Sequence, residues 1–405
     1  MCPKTCREGA LAILLQLREA GFESYFAGGC VRDRLLSIAP VEYDIATAAR
    51  PEDIQKIFPK ARSVGEAFGV MLVRSHSYMY DVATFRSDGP YSDKRHPDQI
   101  QFSDAEHDAQ RRDFTINGMI EDPVEEKIID FVDGQDDIDA RLVRAIGDPH
   151  KRIEEDHLRM LRAIRFSARF EFSIEDNTAE AIREHSHALA GISRERIGEE
   201  VKKMLIDQNR GVAGWEIQYL GLDRIVFEEN SCMNAPTRLG RLPANASYAT
   251  ALAAWIIDRH TSKAQVHEVA ASWRKSLLLS NQTCNALTEI LTLHQAFLSW
   301  DSIGVAKQKR IAASAHCMNS LAIIQAEDRA LFVRIKQTMA QLEKSGVAPT
   351  PLVNGNDLLE AGIPPSPWLG AILDSVYDAQ LEGSIAAKEQ AITLALVIYK
   401  DFLGS

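Results

Sequence analysis

The 405-residue sequence has no run of about eighteen apolar residues, so no segment is built to cross a membrane as a helix. Cysteine is sparse: six are scattered with no CxxC pair and no metal-ligand spacing. That pattern argues against a disulfide scaffold or a zinc site and suits a reducing cytosol, so a cytoplasmic protein is expected. Internal repeats and low-complexity tracts are absent as well. Basic charge is short: 46 Lys and Arg against 57 Asp and Glu leave a net charge of −11. A nucleic-acid partner would need a local basic stripe, because no global field attracts it. The scarcity is greatest from Gly346 onward, where only Lys388 and Lys400 are basic. The only His-Asp dipeptide, His107-Asp108, argues against an appended HD phosphohydrolase domain, and His260, His267 and His294 are too scattered to suggest a metal site.

What is present is an ordinary globular composition, 45% hydrophobic and 25% charged, long enough for two to four compact units. The N-terminal "MCPKTCREGALAILLQLREAG" has the look of a short signal sequence, but Arg7, Arg18 and Glu19 flank and interrupt it. Leu11, Leu14, Leu15 and Ala20 fit a helical stripe, so an amphipathic first helix ended by Gly21 is expected. "SYFAGG" and "YDIAT" read as strands, "VRDRLLS" and "PEDIQKIF" as helices, and "GVMLVRSHSYMYDVATFR" as a β-hairpin. From about Asp148 strand signals fade and long helical patterns take over. Turn-rich breaks lie near Asn230–Ser247 and at "SGVAPTPLVNGNDLLEAGIPPSP".

Chemistry concentrates in the first third. In "PVEYDIATAA", Glu42 and Asp44 stand two residues apart on a strand and so share a face. An isolated E-x-D is more often a solvated strand edge, because paired carboxylates repel unless a cation or proton lies between them. Just upstream, "AGGCVRDRLL" places Gly28-Gly29 at a strand-to-helix turn. Glycines there let backbone N–H groups approach a phosphate, and Arg32 adds a guanidinium fork. Asp81, on the second arm of the hairpin, could reach the same place. Three carboxylates beside a phosphate cradle are what metal-dependent phosphoryl transfer requires, and hard oxygen ligands favour Mg²⁺ over zinc.

"FAGGCVRDRLL", "EYDIATAARPE", "DVATFRSDGPYSDKRHPD", "RRDFTINGM" and "EEDHLRMLRAIRFSARF" occur in the order and spacing of class II tRNA nucleotidyltransferases. The sequence resembles that family, which comprises the CCA-adding enzymes and shares a polymerase-β-like head with bacterial poly(A) polymerases. The resemblance is dense over roughly the first 205 residues and returns in "NGNDLLEAGIPPSPWLGAILDSVYDAQLEG". It implies an α+β head over 1–145 with a mixed sheet, followed by an all-α neck (146–206), body (207–300) and tRNA-binding tail (301–405). It also implies template-independent addition of CCA to the tRNA 3′ end from CTP and ATP with Mg²⁺. Glu42 and Asp44 match the two metal-ligand positions and Asp81 the third catalytic carboxylate. Gly28, Gly29 and Arg32 fall where the family binds the nucleotide. Arg112 and Asp113 match its ribose-sensing segment.

On the first neck helix, Asp156 and Arg159 are i, i+3 neighbours whose heads are expected to meet on one face. Cytosine and adenine both present an amino donor beside a ring-nitrogen acceptor, which a carboxylate and a guanidinium complement. Uracil and guanine present the opposite pattern. The resemblance implies that this helix is the protein template for CTP and ATP. Arg162 and Arg165 continue a basic row toward phosphates and, with Arg141, Arg144, Arg152 and Arg169, form the expected RNA-holding stripe.

Two departures stand out. The family usually has Asp at both first positions and Glu at the third, whereas here the order is Glu42, Asp44, Asp81. The loop "LLSIAPVEYD" lacks the Gly-Arg that commonly follows the leucines. The long loop Ser87–Gln110 resembles the one associated with A addition, which disfavours a CC-only enzyme. An A-adding enzyme, a poly(A) polymerase and a catalytically weakened RNA-binding relative are the alternatives. A poly(A) polymerase would be expected to carry a strongly basic C-terminal extension.

Overall fold

The computed structural model describes residues 5–64, 69–89, 100–260, 263–344 and 346–404. The chain divides into two compact units, Met1–Met233 with Lys275–Leu278 and Asn234–Arg274 with Leu279–Ser405. The regions expected as head and neck fall together in the first.

Helix α1 (Cys6–Glu19) opens on a capping box in which Thr5 and Glu8 satisfy each other's backbone N–H groups. It ends before Gly21, whose φ of +90° suits a glycine past a helix C-terminus. Its buried face is Ala10, Ile13, Leu14 and Leu17, while Leu15 is 46% exposed. The expected stripe is therefore corrected: Leu15 lies about 100° round the helix from Leu14 and faces away from the sheet.

The head sheet uses β1 (Ser24–Ala27), β2 (Asp44–Thr47), β3 (Arg62–Ser63), β4 (Val70–Ser75) and β5 (Tyr78–Thr84). A separate antiparallel pair, β6 (Arg86–Asp88) and β7 (Ile100–Phe102), lies beyond β5 in the chain. Strands β8 (Ile120–Asp122) and β9 (Lys127–Ile129) complete the sheet in the order β3-β4-β5-β2-β1-β8-β9. Its β2–β5 pairing is parallel and every other pairing is antiparallel. Phe26, Ile45, Val73 and Val82 are buried in its core. Between strands run α2 (Gly29–Leu35), α3 (Pro51–Ile57), α4 (Ala105–Gln110) and α5 (Gly134–Asp139). Part of the loop expected over Ser87–Gln110, residues 90–99, lies outside the described residues.

The chain then turns helical through α6 (Pro149–Glu155), α7 (Arg159–Phe170), α8 (Asp176–His185), α9 (Arg194–Leu205) and α10 (Arg210–Tyr219). Among the described residues one strand lies beyond Asp148: β11 (Ser173–Ile174), which pairs in parallel with β10 (Leu142–Val143). Two residues are too few to show a strand period, so β11 has no signature in the sequence.

The second unit is helical among its described residues. One core gathers Phe297, Trp300, Leu321, Ile324 and Ile335. A C-terminal core gathers Val353, Leu358, Ile363, Ile372 and Val376. Arg238 ties Asp258 to Glu327 at 3.0 and 3.1 Å, and His294 meets Glu327 at 2.8 Å, so the buried Asp258 carboxylate is paired.

Glu216 on α10 packs against α7. The Ser167 hydroxyl lies 2.6 Å from the Phe172 carbonyl and 2.7 Å from Glu216 Oε1. One hydroxyl hydrogen cannot serve both acceptors, so a protonated Glu216 donating to Ser167 resolves the geometry. Burial accordingly pushes the Glu216 carboxyl up to about 7. A raised acid adds no penalty below its unfolded value of 4.5 and an increasing one as pH climbs to about 7. Glu216→Gln mimics the neutral acid. It should stabilise the fold relative to the parent at pH 8, by up to about 3 kcal/mol and with a higher melting temperature, but not at pH 4. Equal effects at both pH values in thermal melts would refute this.

Candidate active site

Strand β1 runs out at Ala27, and Gly28 turns the chain with φ +72° into α2. A Cβ on Gly28 would stand 2.8 Å from Arg112 Nη1, so glycine is needed both for the backbone and for the neighbour. In the β1–β2 register Ala27 faces Asp44. The parallel β2–β5 register pairs Ile45 with Val82, which sets Asp44 beside Asp81. The strand begins only at Asp44, so Glu42 lies two residues ahead of it rather than within it, and its side chain is exposed.

The side chains of Asp44 and Asp81 reach the surface, yet the protein packed around them still raises both carboxyls. Asp44 is pushed up to about 6, by loss of surrounding water first and then by the charges of Asp81 and Glu42, with Arg112 opposing. Asp81 is raised by the same loss of water and by the charge of Glu42. Among the described residues, no group of three or more His, Cys, Asp or Glu side chains could by itself hold a metal ion. One or two carboxylates suffice for a hard divalent cation that completes its shell with water and substrate phosphate, and Asp44 is placed to supply one.

A cleft of about 540 Å³ opens beside Asp44. Every residue expected to bind nucleotide lines it: Gly28, Gly29, Arg32, Arg112, Asp113, Asp156, Arg159, Arg162 and Arg165. Glu42 and Asp81 do not. The lining holds nine arginines against four aspartates, a local positive field on a chain that is acidic overall.

The arginines do not, however, point freely at solvent. Arg162 grips Asp113 Oδ2 at 2.5 and 2.8 Å. The other Asp113 oxygen accepts from the Asn117 amide at 3.0 Å and the Phe114 N–H at 2.8 Å. Burial alone would raise this carboxyl, but Arg162 and Asn117 outweigh it and hold it well below the usual range. Asn117 in turn accepts from Arg32, which also grips Asp33 at 2.5 Å. Arg165 pairs with Glu200 at 2.6 Å and lies 4.2 Å from the centre of the Phe166 ring. Asp108 holds both Arg111 and Arg112, at 2.7 and 3.0 Å.

The expected phosphate-seeking row is thus corrected: Arg162 and Arg165 are engaged by acids, because buried guanidinium groups must be paired. Arg144 likewise pairs with Asp137 at 3.0 Å, and Arg152 donates to the Ile146, Arg111 and Gln110 carbonyls.

Asp156 and Arg159 also differ from expectation. The helix breaks between them, with Asp156 extended at φ −146° and ψ 104°. Asp156 Oδ1 accepts from the Leu158 N–H at 3.0 Å, and Oδ2 accepts from Arg196 at 2.8 Å. Arg159 donates to Glu155 and, at 2.7 Å, to the Arg152 carbonyl. Each reaches the cleft held by a third party, not by the other. Arg86, Asp88, Arg111, Asn117, Phe166 and Arg196 were not singled out as nucleotide-site residues from the sequence, yet they line the cleft. Arg111 and Asn117 lie inside "RRDFTINGM" and were visible there; Arg196, forty residues from Asp156, carried no local signal.

The fold and this cleft define a nucleotidyltransferase with a poly(A)-polymerase-type head. The Poly A polymerase head domain model matches residues 24–144, and the model described as "Probable RNA and SrmB- binding site of polymerase A" matches 171–216. A tRNA nucleotidyltransferase domain 2 model matches 246–396. The chain is 33% identical to the CCA-adding enzyme of Limosilactobacillus fermentum over 96% of each chain. It is 32% identical to that of Enterococcus faecalis, over 96% of this chain and 95% of the relative. The Bacillus stearothermophilus CCA-adding enzyme solved in complex with CTP superposes with a TM-score of 0.78 at 26% identity, covering 99% of this chain and all of that one. The chain belongs to the CCA-adding enzymes and is a tRNA nucleotidyltransferase that adds CCA to tRNA.

Gly28→Ala should weaken CTP binding about tenfold or more, since the added methyl forces both the turn and Arg112 to move. Circular dichroism should show the fold retained. Unchanged CTP affinity in a titration would show that the turn does not shape the site.

Proposed function

We propose that the chain uses CTP and ATP in the cytoplasm with Mg²⁺, and that Asp156 and Arg159 select the base. The observation that carries this is their convergence in one cationic cleft with Gly28, Gly29 and Asp44. Asp156 keeps lone pairs open for the amino group shared by cytosine and adenine, and Arg159 donates to the adjoining ring nitrogen. Gly28, Gly29 and Arg112 receive the triphosphate. Arg32, Arg162 and Arg165 act mainly by holding that surface in place, and Asp113, itself held by Arg162 and Asn117, fixes the segment that with Arg112 faces the ribose.

Glu42 and Asp44 would hold Mg²⁺, which when bound neutralises the transferring phosphoryl group and acidifies the attacking hydroxyl. Asp81, as the third catalytic carboxylate, adds negative charge beside Asp44. The neck, body and tail hold the tRNA. From Gly346 onward only Lys388 and Lys400 are basic, too little charge to retain an elongating strand, so addition should end after three nucleotides. Purified protein with tRNA ending at its discriminator base, given CTP, ATP or both, tests the reading by product size. Three-nucleotide products with both substrates are expected. Extension only of tRNA already ending in CC would assign A addition alone.

Arg159→Ala should lower the rate with CTP and ATP and narrow their advantage over UTP and GTP by about tenfold. Equal use of all four nucleotides by the unsubstituted enzyme would overturn the template role.

Glu42→Gln and Asp44→Asn remove one negative charge each at nearly constant volume. Turnover and Mg²⁺ affinity should fall together, by about a hundredfold or more. Glu42→Asp should retain activity. Near-normal addition by Glu42→Gln would reduce Glu42 to an exposed acid ahead of β2.

A further inference from the structure

We infer that Arg196 is a positioning residue for base selection, setting the Asp156 carboxylate so that it reads the nucleotide and does not collapse onto Arg159. This rests on the proposed reading of Asp156 as the base-selecting carboxylate. Asp156 and Arg159 are three residues apart, and an uninterrupted helix would bring them together as an ion pair. A pair satisfied by itself reads a base poorly, because it must be broken before either member can bind.

The structure avoids that pairing with two separate clamps. Glu155 and the Arg152 carbonyl hold Arg159 from one side. The Leu158 N–H and Arg196 Nη2 hold Asp156 from the other. The Asp156–Arg196 pair is only 16% and 21% exposed at its side chains, so the bond is shielded and charge-assisted. Two donors occupy part of the carboxylate's acceptor capacity and leave room for an incoming amino group.

The helix that carries Arg196 is itself pinned. Arg194 donates to the Ser276, Ile225 and Val226 carbonyls. Gly198 packs so closely on Leu277 that a Cβ would lie 2.5 Å from its carbonyl oxygen. Further along α9, Glu200 grips Arg165 of the cleft. Arg196 therefore reaches Asp156 from a fixed base, which lets its fork impose an orientation.

The experiment measures kcat and KM for all four nucleotides on tRNA lacking CCA, with Arg196→Gln, Arg196→Lys and Asp156→Ala in the full-length enzyme. Arg196→Gln should raise KM for CTP and ATP about tenfold and narrow their advantage over UTP and GTP by a similar factor. Arg196→Lys keeps the charge without the fork and should recover part of the discrimination. An unchanged discrimination ratio in Arg196→Gln overturns the inference, as does an equal loss with all four nucleotides, which would mark a merely structural role. If Asp156→Ala discriminates normally, the template reading itself fails. If Asp156→Ala loses discrimination while Arg196→Gln keeps it, the template stands and only the role of Arg196 falls.

Discussion

The buried carboxylate of Asp113 is the joint on which the cleft depends. One oxygen takes the guanidinium of Arg162 from α7, and the other takes the Asn117 amide and the Phe114 N–H from its own segment. Asn117 passes the connection to Arg32 on α2, beside the Gly28 turn. A continuous polar chain therefore runs from the glycine turn through "RRDFTINGM" to the first long neck helix. Breaking a buried pair by removing one partner strands the other and typically costs about 3–5 kcal/mol. The wall that faces the triphosphate and the helix that faces the base are thus coupled through one acid. Phe166 reinforces the coupling, with Arg32, Arg162 and Arg165 all within 5.4 Å of its ring centre.

Sheet topology supplies the complementary constraint. Because β2 and β5 run parallel, the residues just ahead of their shared register, Asp44 and Asp81, lie at one end of that strand pair. The antiparallel β1 delivers Ala27, and hence the glycine turn, to that same end. Reversing β5 would carry Asp81 away from the turn. The raising of the Asp44 carboxyl by the charge of Asp81 is the electrostatic trace of this convergence.

The parts of the site that were legible in the sequence are those encoded over short distances. The glycines of "AGGCVRDRLL", the acids of "EYDIAT" and the hairpin bearing Asp81 declare themselves through strand period and turn chemistry. What was illegible is which charge answers which. The spacing of Arg162 and Arg165 on a helix is plain, but their partners Asp113 and Glu200 lie 49 and 35 residues away. The break at Asp156 was hidden for a different reason. "EEDHLR" contains neither proline nor glycine and reads as uninterrupted helix, yet the Asp156 side chain competes for the Leu158 N–H and ends α6. Glu42 shows the same limit in a strand: alternation identifies the face, not the residue at which pairing begins.

These misreadings share one physical cause, and it bears on how an acidic chain can handle a polyanion. Arginines that look like a phosphate-binding stripe are, once folded, a lattice of ion pairs in which Asp33, Asp108, Glu155 and Glu200, behind the cleft lining, offset much of its positive charge. Such a lattice attracts a triphosphate less strongly than bare arginines would, but it does not need to reorganise when one arrives. A protein surface that substitutes for a nucleic-acid template has to keep its donors and acceptors fixed while the base changes. Flexible, unpaired side chains would adapt to any base and select none. On the proposed reading, the acids that neutralise the cleft arginines give up some affinity in exchange for that rigidity.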